Sequence, residues 1–263
     1  MVKSIIGGAN VSMMYELRKS IGKRPCLPGS PRAKRCPMVI NEASEDLFMS
    51  NTFGLLKYLS PTIWLTPFLN IVFKGRDFRK LCHGSPKIEF WKRLMSPASF
   101  SDREGTEEVD IVITIGQVVI LVECKYRSLV QPEAVGHRRD QIIRYLDAAV
   151  FNYWPDFEGR AEILFILLTD TEDEPPVLSQ YRNPNKILQD LTKNLPSIDY
   201  EQVSEALAHN VAWARWTDIL QVLKGQDLKK VNPIEAMIIK DLIAYLSYKT
   251  VKGQHSEIRG KGR

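Results

Sequence analysis

Two short apolar runs, residues 109–115 and 118–124, flank the dipeptide Gly116-Gln117 and predict a β-hairpin. Glycine in the first turn position suits a type II′ turn, and this two-residue loop pairs residues whose numbers sum to 233. Alternate side chains of a strand point to opposite faces, and here both faces are apolar. One face carries Val112, Val119 and Leu121, and the other carries Ile111, Ile113, Ile120 and Val122. The hairpin is therefore predicted to lie in a central sheet with helices on both sides.

Further helices and strands are predicted around this hairpin. Apolar positions three or four residues apart predict helices, and short continuous apolar runs predict buried strands. In chain order the elements are a helix from the Asn41 cap to about Tyr58, a helix over 63–73, a strand over 87–94, the hairpin, a helix over 134–153, a strand over 162–169, helices over 184–193 and 200–208, a strand over 210–216, a helix capped by Thr217, and a last helix from Pro233 to about Tyr248. The pattern predicts the α/β class with a central mixed sheet and a C-terminal helical extension.

The chain divides into three parts by composition. Prolines, a glycine and basic residues over 24–37 disfavour regular structure. We expect a basic N-terminal arm or linker over 1–38, one domain over 39–248, and a basic tail over 249–263. The 44% apolar content of the 263 residues is enough for a core of this size.

The net charge of +5 is unevenly distributed. Residues 1–38 hold eight Lys or Arg against one Glu, residues 249–263 hold five against one, and the domain between them carries a net −6. Basic ends on an acidic domain suit a polyanion that is gripped from outside while a carboxylate site acts within. Solvated tails that only keep the chain soluble would give the same pattern.

The sequence gives no sign of a membrane or secreted protein. No apolar run approaches the roughly 20 residues of a membrane span, and the N-terminus lacks the hydrophobic block of a signal peptide. The four cysteines are scattered and form no CxxC pair, and Cys82-His83 lacks two further closely spaced zinc ligands. We expect a soluble, cytoplasmic protein with reduced thiols and no membrane partner.

Three charges interrupt the apolar hairpin: Asp110, Glu123 and Lys125. In the predicted register Asp110 lies opposite Glu123, with Cβ atoms about 5 Å apart, and Lys125 emerges on the same face. Facing carboxylates repel each other unless a positive charge lies between them. Lys125 could neutralise one, and a hard cation such as Mg²⁺, with the Cys124 carbonyl as a further ligand, would suit both. A salt-bridged trio at the end of a sheet, without catalysis, would use the same residues.

These charges point to a reaction class. Burying a charge without a partner or a metal costs several kcal/mol, so such charges persist mainly where they are used. A divalent cation would polarise a phosphoryl group and lower the pKa of a bound water, and a nearby ammonium would stabilise developing charge. The predicted reaction is hydrolysis of a phosphodiester.

The same residues resemble a known family pattern. Asp110, a spacer, and then Glu123-Cys124-Lys125 resemble the D-(x)n-E-x-K core of the PD-(D/E)XK nuclease superfamily, also called restriction-endonuclease-like. Glu45 on the preceding helix resembles the upstream acidic position of the family. Gln141 and Tyr145 resemble the QxxxY helix of its exonuclease-like branch. The resemblance covers about residues 40–170.

The resemblance implies an αβββαβ core and a role for each matching residue. Asp110, Glu123 and the Cys124 carbonyl would bind Mg²⁺ or Mn²⁺, and Lys125 would activate the attacking water. Glu45 would bind metal or water, directly or through other groups, and Gln141 and Tyr145 would orient the phosphate or the side chains of the site. The chain has Val109 where a proline often precedes the aspartate, which leaves the ligand itself in place.

The implied activity is a Mg²⁺-dependent deoxyribonuclease that leaves 5′-phosphate and 3′-hydroxyl ends. Cutting both strands of a duplex would be easiest from a symmetric dimer. The rival from another class is a non-catalytic module that kept the fold and binds nucleic acid or protein. A degraded site would normally lack one of the expected residues, and here each is present.

Two further stretches allow two interpretations each. Arg215, between Trp213 and Trp216, could help these indoles stack on bases, although indole rings more often fill a core. Arg138 and Arg139 could reach a phosphate of a bound nucleic acid, or could lie in a solvated first turn of the following helix.

Overall fold

The computed structural model describes residues 45–80, 84–97, 106–126, 139–155, 161–193 and 195–260, with side chains as far as Thr250. The predictions made for the arm over 1–38, for the Asn41 cap and for Arg138 lie outside these residues.

Five strands form one mixed sheet in which spatial order follows chain order. The strands are β1 (Lys87–Leu94), β2 (Glu107–Ile115), β3 (Val118–Cys124), β4 (Glu162–Thr169) and β5 (Val211–Arg215). β1, β2 and β3 pair antiparallel, whereas β3, β4 and β5 pair parallel. The carboxyl ends of the three parallel strands therefore meet at one edge of the sheet, which is where loops and ligand sites concentrate in α/β proteins.

The β2–β3 hairpin has the predicted register. Ile111 lies opposite Val122 and Val112 opposite Leu121, so paired numbers sum to 233. Gly116 adopts a φ of +58°, which the first turn position requires and which a residue with a Cβ rarely adopts. The turn thus determines which side chains of β2 face those of β3.

Helices cover both faces of the sheet, as predicted. One layer contains α1 (Glu45–Leu56), α2 (Leu65–Val72), α6 (Trp216–Lys224) and α7 (Pro233–Gly260). The other contains α3 (Gln141–Tyr153), a 3₁₀ helix (Pro176–Arg182), α4 (Pro184–Asp190) and α5 (Tyr200–His209). The α/β class and the central mixed sheet flanked by helices are confirmed.

The alternation of the hairpin side chains separates two apolar cores. Ile111, Ile113, Ile120 and Val122 pack with the α1 layer, whereas Val112, Val119 and Leu121 pack with the α3 layer. All seven are at most 1% exposed, so both faces of this hairpin are fully covered. A slip by one residue would exchange one apolar face for the other, so it is the Gly116 turn, and not burial alone, that fixes the register.

Several predicted helix ends differ from the structure, and α4 for example ends at Asp190 and not near Lys193. α3 begins at Gln141 and not at Ala134, because the Asp140 carboxylate caps it by accepting from the Ile142 and Ile143 amides at 2.8 and 3.3 Å. α6 begins one residue before Thr217, and the Asp218 carboxylate accepts from the Arg215 amide at 2.8 Å.

The last helix does not end near Tyr248 but continues to Gly260. Its Lys249 is only 4% exposed and lies within 6 Å of three rings, those of Phe48, Tyr126 and Tyr245. Aromatic faces attract the ammonium, so Lys249 belongs to the packed domain and not to the basic tail that was expected from residue 249 onward.

Within the described ranges, no helix combines the length and the apolar character that crossing a membrane demands.

Candidate active site

The side chains of Asp110 and Glu123 face each other at the end of the β2–β3 pairing that is farthest from the turn. Continuing the register by one pair beyond Ile111 and Val122 places the two carboxylates opposite one another. The Cys124 amide donates a hydrogen bond of 2.9 Å to Asp110 Oδ2. Glu123 is only 4% exposed. Two acidic side chains are thus held side by side in a poorly solvated place.

The Lys125 ammonium partly compensates these charges. Its Nζ atom lies 2.6 Å from Glu123 Oε1 and 3.7 Å from Glu45 Oε1. Burial alone would lower the Lys125 pKa, but the negative charges of Glu123, Glu45 and Asp110 outweigh it and raise that pKa. Lys125 therefore stays protonated and presents a fixed positive charge.

Glu45 reaches the site from the opposite helical layer. Its position at the described start of α1 lets Oε2 accept a 2.7 Å hydrogen bond from the Tyr126 amide. The adjoining aromatic side chains, Phe48 and Tyr126, pack with ring centroids 4.5 Å apart. These contacts fix α1 against the end of β3. Glu45 places a negative charge near Lys125 and accepts a hydrogen bond from the backbone of the next residue, Tyr126.

The Asp110 and Glu123 carboxylates together could bind a cation. Burial and the charge of Glu123 raise the pKa of Asp110 well above its usual range. Glu123 Oε2 is buried, and it has no hydrogen-bond partner among the described residues. A buried carboxylate oxygen without a partner costs free energy that a bound cation would recover, so these two residues fit a hard divalent metal.

The pair is not a complete metal cage. Among the residues that the structure describes, no three His, Cys, Asp or Glu side chains are arranged to enclose an ion. The Glu45 carboxylate bonds to the Tyr126 amide and lies near Lys125 instead. Magnesium sites often use one or two carboxylates and keep several waters or substrate oxygens, so two carboxylates are sufficient for this class.

Gln141 and Tyr145, one turn apart on α3, are also brought to the site. Gln141 Nε2 donates to the Tyr145 hydroxyl at 2.6 Å, and that hydroxyl donates to the Glu108 carbonyl at 2.9 Å. Burial and the charges of Glu123 and Asp110 raise the Tyr145 pKa, so the phenol stays neutral. The Gln–Tyr pair therefore connects the start of α3 to β2 beside Asp110.

Arg139 is engaged within the protein. Its guanidinium donates to Asp147 at 2.6 Å, to the Asp190 carbonyl at 2.9 Å and to Thr192 at 3.2 Å. Its side chain is 15% exposed. This geometry favours a structural role, and the phosphate contact remains a prediction.

Several supporting residues were missed by sequence reasoning. Trp91 lies opposite Asp110, between the pairs Phe90–Ile111 and Lys92–Val109, and has a φ of +48°. A bulky residue in this region carries backbone strain of roughly 1–3 kcal/mol, and the amino-acid pattern of β1 gives no signal for it.

Trp213 and Trp216, for which base stacking or core packing was considered jointly, have separate environments. Trp216 is fully buried, and its Nε1 donates to the Lys125 carbonyl at 3.1 Å. Trp213 is only partly buried. The core interpretation thus holds for Trp216, which also fixes the backbone of the site lysine.

The side chains that the structure brings to this end of the sheet are those of Glu45, Asp110, Glu123, Lys125, Gln141 and Tyr145. These residues come from four elements, α1, β2, the end of β3 and α3, and each element is held there by at least one hydrogen bond or ion pair. No family model, curated protein or solved structure matches this chain.

Proposed function

We propose that this protein is a metal-dependent nuclease that hydrolyses phosphodiester bonds, with DNA as its substrate. The observation that carries the proposal is the buried pair of Asp110 and Glu123, with Lys125 at 2.6 Å and one glutamate oxygen lacking a partner among the described residues. A purely structural ion pair would be expected to use both oxygens of a buried carboxylate.

The order of elements supports the same proposal. Apart from α2, which is inserted between α1 and β1, helix α1, strands β1 to β3, helix α3 and strand β4 occur in the αβββαβ order of the PD-(D/E)XK superfamily. The three acidic and basic residues of the D-(x)n-E-x-K pattern lie at one end of β2 and β3. Fold and motif are thus compatible with one another in this chain.

Asp110, Glu123 and the Cys124 carbonyl would hold Mg²⁺ or Mn²⁺. Such an ion supplies Lewis acidity, which polarises a phosphoryl oxygen and lowers the pKa of a coordinated water. The chain provides the anionic ligands, and Lys125 keeps them from repelling each other in the free protein.

Lys125 has a second role once a phosphate is bound. Its ammonium stays charged because burial is outweighed by three carboxylates, and it can orient the attacking water or stabilise negative charge at phosphorus. Glu45 restrains this ammonium from the far side at 3.7 Å. Tyr145 remains neutral and donates its one hydroxyl hydrogen to the Glu108 carbonyl, so together with Gln141 it would position the side chains of the site.

The substrate class follows from charge. A net −6 domain would repel DNA, and the basic residues of 1–38 and 252–263 would offset that repulsion by contacting phosphates. Cutting both strands would be served by a homodimer. A cytoplasmic location goes with this proposal.

The test is cleavage of labelled single- and double-stranded DNA and RNA by the full chain with Mg²⁺, Mn²⁺ or EDTA. We expect metal-dependent cutting that falls at least 100-fold in Asp110→Asn and in Lys125→Met, since each loses one part of the site. Asp227→Asn, which changes an exposed carboxylate far from this pair in sequence, serves as the matched control and should cut normally.

The rival function is a non-catalytic module that binds nucleic acid or protein. Binding without cutting under every metal, together with no rise in the thermal midpoint on adding Mg²⁺ or Mn²⁺, would overturn the nuclease proposal.

A further inference from the structure

Trp213 lies on the same face of the sheet as the carboxylate pair. Glu123 of β3 is beside Leu167 of β4, and Leu167 is beside Trp213 of β5. Neighbouring strands are about 4.8 Å apart, so the Cα atoms of Glu123 and Trp213 are roughly 10 Å apart. Trp213 Nε1 donates to Thr169 Oγ1 at 2.8 Å, which fixes the indole at the carboxyl end of β4.

The Trp213 indole lines a cleft along the outer edge of the sheet. The cleft has a volume of about 610 Å³ and is bounded by β5, the end of α2 and the segment before and within the 3₁₀ helix. β5 is the last strand of the sheet as the structure describes it, so no described strand covers this edge. The space is large enough for a nucleobase with its sugar.

The cleft combines an aromatic face with a planar cation. The Arg215 guanidinium carbon lies 5.9 Å from the centroid of the Trp213 ring. Arg215 is 40% exposed, so part of the guanidinium remains accessible beside the ring. Exposed aromatic rings with an adjacent arginine are the stacking surfaces on which proteins hold unpaired bases.

The charges of the cleft favour a base over a phosphate. Arg215 pairs with Asp218 at 3.1 Å, and Arg182 pairs with Glu174 at 2.5 Å. Because these arginines are already balanced, the cleft offers little net positive charge to a phosphate group. An uncharged heterocycle does not need a net positive charge and can stack on the accessible part of the Trp213 ring.

We propose that Trp213 and Arg215 form a stacking site for a nucleobase of single-stranded nucleic acid. The base lies within about three nucleotides of the phosphate at the carboxylate pair, given roughly 3.4 Å of rise per nucleotide. The position relative to that phosphate rests on the proposed function, whereas the stacking itself does not. The site would favour a strand that is unpaired beside the point of cleavage.

The experiment measures binding of a labelled single-stranded oligonucleotide to the full chain by fluorescence anisotropy in EDTA, where cutting is prevented. Trp213→Ala should weaken binding about tenfold because a stacked base is lost. Trp213→Phe should retain most of the affinity, since a ring remains.

The matched control is Tyr58→Ala. Tyr58 is 58% exposed, and the Lys57 ammonium lies 4.9 Å from its ring, so it offers a similar aromatic and cationic pair outside the cleft. This variant should bind as the parent does. Thermal unfolding of each variant verifies that it is folded.

An abasic scan then locates the base. Removing one base at a time should weaken binding by the parent at one position, and Trp213→Ala should show no further loss at that position. Equal binding of intact strands by the parent and by folded Trp213→Ala would overturn the stacking site, as would no binding of any single strand.

These outcomes separate the two proposals. Trp213-dependent binding without any metal-dependent cutting would refute the nuclease and support the stacking site. If cutting depends on Asp110 but binding does not depend on Trp213, the nuclease proposal is supported and the stacking site is refuted.

Discussion

The Asp110 carboxyl lies where burial and the negative charge of Glu123 both oppose its ionisation. The Cys124 amide and the Lys125 ammonium act in the opposite direction, but the pKa remains raised. The folded chain without metal therefore binds a proton on this carboxyl more tightly than the unfolded chain does. Stability from this group is complete below its usual pKa near 3.8 and is lost as the pH rises through the raised value.

Asp110→Asn should therefore stabilise the metal-free protein at neutral and alkaline pH. The amide keeps an oxygen that can accept from the Cys124 amide while removing the charge. We expect a gain that is negligible below about pH 3.8 and that grows over the range in which the pH rises toward the raised pKa of the Asp110 carboxyl. Urea unfolding in EDTA would measure it, with Asp227→Asn as the control. A variant less stable than the parent throughout this range would contradict the account of the site.

Removing the Tyr145 hydroxyl tests whether its hydrogen bond with Gln141 contributes to the cleavage rate. Tyr145→Phe removes the group that joins Gln141 to the Glu108 carbonyl and should cost about 1–2 kcal/mol. If the hydroxyl orients the site, cleavage should also fall about tenfold at equal occupancy by Mg²⁺. Cleavage rates and urea unfolding would measure the two effects.

Tyr200→Phe is the matched control for that change. The Tyr200 hydroxyl accepts from the Leu195 amide at 3.0 Å, on the layer formed by α5. A similar loss of stability with normal cleavage is expected. Equal effects of both variants on cleavage would mean that Tyr145 acts only through stability.

At the scale of elements, α3 is joined to β2 by a buried ion pair. Arg144 donates to both Glu107 oxygens at 2.7 and 2.8 Å, and both residues are 5% exposed. Glu107 begins the strand that carries Asp110, and Arg144 precedes Tyr145. The pair thus fixes the helix of the Gln–Tyr pair against the strand of the aspartate.

Removing one member of this pair should be far more harmful than removing both. Arg144→Met leaves the Glu107 carboxylate buried without this ion pair, for an expected loss of about 3–5 kcal/mol. The double variant Arg144→Met with Glu107→Gln should recover at least half of that loss. Chemical unfolding of the three variants measures the coupling, and strictly additive losses would contradict it.

The sequence predicted these elements well where the physics is local. The type II′ turn and the strict alternation gave the register of β2 and β3, and with it the facing of Asp110 and Glu123. The start of α3 was misjudged because helical periodicity extends through residues that precede the Asp140 cap. The bend at Trp91 and the Arg144–Glu107 pair depend on contacts across the sheet, for which the pattern along the chain has no signal.

At the scale of the whole molecule, α7 completes the core of the α1 layer. Ile239, Leu242 and Leu246 are fully buried in that core. The Lys249 carbonyl accepts from the Tyr126 hydroxyl at 3.1 Å, directly beyond the site lysine. The C-terminal extension predicted from sequence is therefore part of the support of the site.

Two truncations distinguish the role of this helix from that of the chain after it. Ending the chain after Lys230 removes three buried aliphatic side chains, each worth about 1.5–3 kcal/mol, and should leave the protein unfolded or aggregated. Ending it after Thr250 removes no described core residue, so its thermal midpoint should remain within a few degrees of the parent. Thermal scans and size-exclusion chromatography would measure both, and a stable, monomeric short form would contradict this role of α7.

The Tyr126 contacts also determine how late in synthesis the end of β3 can become fully ordered. Its amide binds a side chain 81 residues upstream, and its hydroxyl binds a carbonyl 123 residues downstream. Contacts so distant along the chain form late, because closing long loops is slow. The contact with Glu45 joins two segments that are synthesised early, but the contact with Lys249 cannot form until α7 has left the ribosome. The end of β3 therefore gains its full set of contacts only when synthesis of the described chain is nearly complete.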